Sequence, residues 1–339
     1  MAIPLQLTLR VEHFAFKLPF RITGHVFDKS SVVVAELSDG QHVGRGEGAG
    51  AYYLGDDVAN MLAQGEAARG AIESGISREE LQSVMPPGGA RNAIDCALWD
   101  LEAKQTGIPA WKTAGLEEPI PLLSALTIGA DTPDRMARSA RAIDPGTPLK
   151  LKLTGELDID TARLEAVRVA RPDAWIGVDA NQGYDRATLP GLLPVLSAAS
   201  IALLEQPLAR GHEADLEGLK RPMPFAADES ALTLADTGGL VGLFDVVNIK
   251  LDKCGGLTEG LAIARRARSL GLGVMVGNMI GTSLSMAPSF LVGQLCDVVD
   301  LDGPTFLAAD RPCGVTYTAG WISCPTEIWG YPEKASHSG

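Results

Sequence analysis

Three short apolar runs in this chain end in a carboxylate: WIGVDAN at Asp179, IALLEQP at Glu205 and PFAADES at Asp228. The acids stand 26 and 23 residues apart. That is close to the roughly 30 residues of one strand-plus-helix unit, if about 250 residues make an eightfold barrel. Such a period places each acid at the C-terminal tip of a successive parallel strand. Three carboxylates converging there need a cation, and oxygen ligands with open positions suit Mg²⁺. Taken singly, Asp179 or Asp228 could equally cap a following helix; the regular spacing of the three is what speaks for a shared site.

The same rhythm extends on both sides of these runs. LLSALTIG, PLKLKLTG, DVVNIKLDK, LGVMVGN and VVDLDGP read as further strands, giving eight in all. Their near-continuous apolar character is that of parallel strands buried on both faces. Helix-period segments such as DTARLEAVRVAR, LTEGLAIARRARSL and TSLSMAPSFLVGQL lie between them. The expectation is an α/β chain with a (β/α)7β TIM-like barrel over residues 119–304, the eighth helix short or absent. Residues 1–118 differ. LQLTLRVEHFAF and SSVVVAELSDGQHVGRGEG predict antiparallel strands with polar turns, followed by helices in VANMLAQGEAARGAIE and in ARNAIDCALWDLEAKQTG, which stops at Gly107. This is an α+β module. Residues 305–339 return to an irregular, strand-like pattern that is expected to rejoin it.

Composition narrows the function classes. A net charge of −13 argues against nucleic acid as a partner. No run of about 18 apolar residues is present, so no membrane span is expected. The first residues, MAIPLQLTLRVEHF, lack the basic and apolar regions of a signal peptide. Five cysteines without a CxxC point to reduced thiols and a cytoplasmic protein. The five histidines show no metal-ligand spacing, and the tail EKASHSG is expected to be loose.

Lysines flank the acidic strands. The second strand carries Lys150 and Lys152, which alternation sends to one face. The sixth carries Lys250, with Lys253 beyond it. Strands 2 and 6 of an eight-stranded barrel are diametrically opposed, so a base on each would face a central substrate from two sides. One lysine of the Lys150/Lys152 pair could lower the other's pKa by like-charge repulsion, as a base near neutral pH requires. The chemistry this suits is removal of a proton alpha to a carboxylate, with a cation stabilising the resulting enediolate. Return of a proton on the other face inverts the carbon.

The motifs KLK, VDAN, LEQP, ADES and NIKLDKCGG, with ARNAIDCALWDLEAK ahead of them, resemble the muconate-lactonizing subgroup of the enolase superfamily over nearly the whole chain. Enolase-superfamily sites pair a Lys or His base with Mg²⁺. The resemblance implies an α+β capping domain, built from the N-terminal part and the C-terminal tail, over the barrel. It implies Asp179, Glu205 and Asp228 as Mg²⁺ ligands, Lys152 and Lys250 as the acid/base pair, and Lys150 as a supporting lysine. The sequence Asp300-Leu301-Asp302 resembles that of the dipeptide epimerases of the L-Ala-D/L-Glu type, where two aspartates receive the substrate's free ammonium. Thr127 resembles a substrate-contacting position. Glu-specific members place an arginine in the capping loops; RITGHVFDKSS has His25 there, with Arg21 and Lys29 near it, and GEGAGAYYLGDD offers Tyr52 and Tyr53. A Glu second residue is the family default, and an apolar, aromatic or basic one stays open. Other subgroup activities also stay open, namely N-succinylamino acid racemase, o-succinylbenzoate synthase and muconate cycloisomerase. So does a non-catalytic, ligand-binding barrel. Homo-oligomers are common in the family, though no sequence stripe marks an interface here.

Overall fold

The computed structural model describes residues 4–22 and 25–333. The chain begins with a three-stranded antiparallel sheet, β1 (Gln6–Ile22), β2 (His25–Ser38) and β3 (Val43–Gly48). Helices α1 (Val58–Glu73), α2 (Arg78–Val84) and α3 (Gly89–Thr106) follow. In VGRGEG the three glycines alternate along one face of β3 and let α3 lie directly on the strand. A Cβ on Gly44, Gly46 or Gly48 would come within 2.2, 2.1 and 2.1 Å of the carbonyl oxygens of Ala97, Ala93 and Gly89. Helix α3 is buried along almost its whole length and ends, as its sequence predicts, at Gly107 with φ 69°.

A short turn of helix, α4 (Ala110–Thr113), leads to β4 (Leu122–Leu123). The barrel comprises β5 (Leu126–Ile128), β6 (Leu149–Lys152), β7 (Ile176–Asp179), β8 (Leu203–Glu205), β9 (Phe225–Ala227), β10 (Val246–Ile249), β11 (Gly273–Val276) and β12 (Val298–Val299). All eight are parallel neighbours in chain order. The Ala125 amide donates to the Val299 carbonyl at 2.8 Å, joining the last strand to the first. The Leu301 amide donates to Ser124 Oγ at 2.9 Å at the same junction. Helices α5 (Pro133–Ala142), α6 (Leu157–Ala170), α7 (Leu189–Ala198), α8 (Leu251–Cys254), α9 (Leu257–Ser269) and α10 (Ser283–Gly293) interleave with the strands.

The structure departs from the sequence reading in three places. LLSALTIG is split: β4 pairs antiparallel with β14 (Trp321–Ser323), itself paired with β13 (Thr316–Thr318), and only residues 126–128 join the barrel. After β8 and β9 the chain makes only 3-10 turns, Glu213–Leu216 and Asp236–Leu240. The first of these links is broken up by Gly211 and Gly218 at φ 92° and 72°. Finally, the NIKLDK strand stops at Ile249, and Lys250 begins the turn α8. Beyond the barrel the chain returns to α3: Trp329 Nε1 donates to the Cys96 carbonyl at 3.0 Å, and the Gly330 amide to Asp100 at 2.8 Å.

Candidate active site

Parallel register brings the acids together. Asp179 is the last residue of β7 and sits opposite Glu205 at the end of β8; Lys152 at the end of β6 sits opposite Asp179. Glu205 pairs with Ala226, so Asp228 projects two residues further along the same face. One oxygen of each of Asp179, Glu205 and Asp228 lies within 4.8 Å of the other two, and all three residues are buried. This compact, oxygen-only set fits a hard divalent cation.

Each acid also holds a lysine. Lys152 Nζ lies 2.6 Å from Asp179 Oδ2 and Lys250 Nζ 2.5 Å from Asp228 Oδ2. Lys150 Nζ reaches Glu205 Oε2 at 2.7 Å and Asp300 Oδ2 at 2.7 Å, with Asp179 at 3.4 Å. Burial alone would raise Asp179 and Asp228. The lysines outweigh it, holding Asp179 at about 2 and Asp228 well below its ordinary value. Glu205 goes the other way, to about 7, because burial and the Asp179 charge exceed the pull of Lys150. The lysines respond to the same charges. Burial works against the ammonium of Lys150, but Asp300, Glu205 and Asp179 hold it well above its usual value. Asp228 does the same for Lys250. Lys150 therefore faces acids and is not itself depressed by its lysine neighbour.

Several groups without a role in the sequence reading hold this arrangement. Lys253 Nζ, fully buried on α8, donates to Asp228 Oδ1 and carbonyl oxygen, both at 2.6 Å, and to the Asn248 carbonyl at 3.0 Å. Asn248 Nδ2 donates to Glu205 Oε1 at 2.8 Å. Gln206, at φ 35°, accepts the Asp228 and Ser230 amides. Burial and Asp228 push Glu229 up to about 8. Only the lysine spacing in NIKLDK hinted at any of these.

Asp300 and Asp302 lie just beyond β12, across the mouth. Asp302 Oδ2 accepts the Thr127 amide at 2.6 Å, and Thr127 Oγ1 stands 3.5 Å from Asp300 Oδ1. Burial, then the Asp300 charge, push Asp302 up to about 7. A cavity of about 420 Å³ joins these aspartates to Thr127, Lys152 and Lys250. Its opposite wall comes from the N-terminal sheet and the loop after β3, with Phe16, Phe27, Lys29, Tyr52 and Tyr53. Tyr52 packs edge-on against Phe27 and Tyr53, each at 5.2 Å, and Phe20 against Phe306 at 4.8 Å. Among the described residues the buried Tyr53 hydroxyl and Asp56 Oδ1 find no hydrogen-bond partner. His25 opens β2, but its side chain and those of Arg21 and Ile22 fall outside the described part of the structure.

Similarity to known proteins follows the same division. Residues 6–115 match the mandelate racemase/muconate lactonizing enzyme N-terminal domain, and residues 135–306 the enolase C-terminal domain-like family. The L-Ala-D/L-Glu epimerase of Escherichia coli is 38% identical over 92% of this chain and 98% of its own length. An N-acetyl-D-glutamate racemase from Pseudoalteromonas is 40% identical over 74% and 79%. A crystal structure from Agrobacterium tumefaciens, an enolase family member with homology to dipeptide epimerases and bound sodium and L-Ala-L-Glu, aligns with a TM-score of 0.92 at 40% identity. It covers 96% of this chain and 100% of that one. Dipeptide epimerases from Methylococcus capsulatus and Enterococcus faecalis have been solved with Mg and a dipeptide. In sequence, in fold and in its strand-end acids, the chain belongs to the enolase superfamily, in its mandelate racemase/muconate lactonizing enzyme branch.

Proposed function

We propose that this protein is a Mg²⁺-dependent dipeptide epimerase that inverts the alpha carbon of the substrate's C-terminal residue. The observation that carries the reading is the pairing of Lys152 and Lys250 with opposite members of one acidic cluster, across a cavity from two buried aspartates. Asp179, Glu205 and Asp228 would hold the cation. Bound there, it would fix the substrate carboxylate, take up the charge that builds as the alpha proton leaves, and lower the pKa of the lysines around it. One lysine, neutral, takes the proton from one face; the other, as an ammonium, delivers a proton to the opposite face. Asp300 and Asp302 supply negative charge for the free ammonium of the first residue, and Thr127 orients Asp302. Tyr52 and Tyr53 border the second side chain. Lys29 is a cavity-lining cation on that wall and gives a Glu side chain a partner, in keeping with the Glu-type relatives.

Residues 1–118 and 305–339 would form the cap, and residues 119–304 the catalytic barrel. No described helix is long and apolar enough to cross a membrane. Free cysteines support a cytoplasmic setting, and a homo-oligomer is the family expectation.

A second reading, racemisation of an N-acylated amino acid, is favoured by the Pseudoalteromonas relative. Such a substrate has no ammonium to meet Asp300 and Asp302. The test is a dipeptide library in D₂O with Mg²⁺, read by mass spectrometry, with N-acetylglutamate beside it. Deuterium entering the C-terminal alpha position of L-Ala-L-Glu, and not N-acetylglutamate, is expected. Exchange confined to the acylated compound would favour the second reading, and no exchange at all would remove both.

A further inference from the structure

The two aspartates after β12 are not equivalent. Asp300 spends Oδ2 on Lys150 at 2.7 Å, and Lys150 reaches Glu205 at 2.7 Å and Asp179 at 3.4 Å from the same nitrogen. Among the described residues Asp302 pairs with no lysine; its Oδ2 is held by the Thr127 amide at 2.6 Å, and it lines the cavity. All of these groups are buried, Lys150 and Asp302 each 3% exposed and Asp300 4%. A buried ammonium shared between carboxylates goes wherever the negative charge is greatest. With Asp300 present, Lys150 is drawn partly away from the acidic cluster. Without it, the ammonium would bear on Glu205 and Asp179 alone and compete with a cation for their oxygens.

We propose that Asp300, besides standing with Asp302 at the ammonium end, is a positioning residue that acts through Lys150 to keep Glu205 and Asp179 available to the divalent cation. The chain Asp300–Lys150–Glu205 then connects the ammonium end of the site to the cation end. The ammonium role of the two aspartates rests on the dipeptide reading; the link to the cation does not.

The experiment is calorimetric titration of Mg²⁺ into the substrate-free protein, for wild type, D300N, D302N, K150Q and K150Q/D300N. Each variant is first checked for a cooperative thermal transition. The expected result is about tenfold weaker Mg²⁺ binding in D300N, the size typical of groups that orient metal ligands, and a change under about threefold in D302N. In the K150Q background the D300N effect should fall below about twofold, because its mediator is gone. Equal Mg²⁺ affinity in D300N and wild type, or a full D300N effect without Lys150, overturns the proposal. If D300N does not fold, D300E keeps the charge but moves the oxygen, and its Mg²⁺ affinity is read against the same limits. A wild type that exchanges no dipeptide would defeat the functional reading while leaving the Mg²⁺ arm intact.

Discussion

The two walls of the cavity are built on different principles. The barrel wall is ionic and closed: Lys150, Lys152 and Lys250 are 3, 8 and 7% exposed, and each sits on a carboxylate within 2.7 Å. The cap wall is aromatic and open: Tyr52 is 37% exposed and meets its neighbours by ring edges. One wall fixes where charges stand to within the register of parallel strands, as proton transfer requires. The other is carried on a hairpin and a loop. On the proposed function, reaction and selectivity are thus assigned to separate stretches of chain.

The sharpest way to break this contrast is at the lysines. Lys152→Ala or Lys250→Ala should cost roughly 10⁴-fold in epimerisation, followed by chiral chromatography, while one-sided exchange of a single epimer persists by NMR in D₂O. Full epimerisation in either variant would mean the barrel wall does not act as two opposed groups. Next in size is the junction between the walls. Glu47, on β3, is 1% exposed and accepts the Thr282 amide at 2.7 Å and Arg311 Nη2 at 2.7 Å. Arg311→Met should destabilise the fold by about 3 kcal/mol, since it strands a buried carboxylate; urea denaturation measures this, and a loss below about 1 kcal/mol would show that the join is not ionic. On the cap wall the effects should be smaller. Lys29→Ala should lower the preference for L-Ala-L-Glu over L-Ala-L-Leu about tenfold in kcat/KM, and Tyr52→Ala should reorder a dipeptide panel without abolishing exchange. An unchanged panel would take both residues out of selectivity.

The smallest effect concerns Asp252, which follows the barrel's Lys250 yet accepts the Ala49 and Gly50 amides of the cap loop at 2.8 and 3.2 Å. Burial outweighs these donors and pushes Asp252 from 3.8 to about 6. An acid raised on folding favours the fold while protonated, so its contribution falls as pH rises from 3.8 to about 6 and is level above. Asp252→Asn keeps the accepting oxygen and should flatten that part of the Tm–pH curve. An unaltered slope would mean another group titrates there.

The barrel wall was legible in the sequence for a physical reason. Parallel strands put Asp179, Glu205 and Lys152 in line, and register follows from apolar runs of similar length. What escaped depends on local turns or distant contacts. Lys253 reaches Asp228 only because the chain coils into a helical turn directly after Lys250. Gln206 reaches two amides only from a left-handed backbone. Phe20 and Phe306 meet through tertiary packing that no local pattern encodes. LLSALTIG was read as one strand because an apolar run does not say which sheet it joins. VGRGEG falls in a run legible as antiparallel strand and turn, but nothing local in it tells that its glycines clear space for α3.

The ring of strands has one thin seam. Its final strand is two residues long and meets the first through Ala125 and Val299, helped by Ser124 and Leu301. The residues that close this seam adjoin Thr127, Asp300 and Asp302, so breathing there would disturb the proposed ammonium end of the pocket before the acidic cluster. A substrate spanning both ends would act as a clasp across the gap, slowing amide hydrogen exchange at Ala125 and Leu301 more than on β7 or β8.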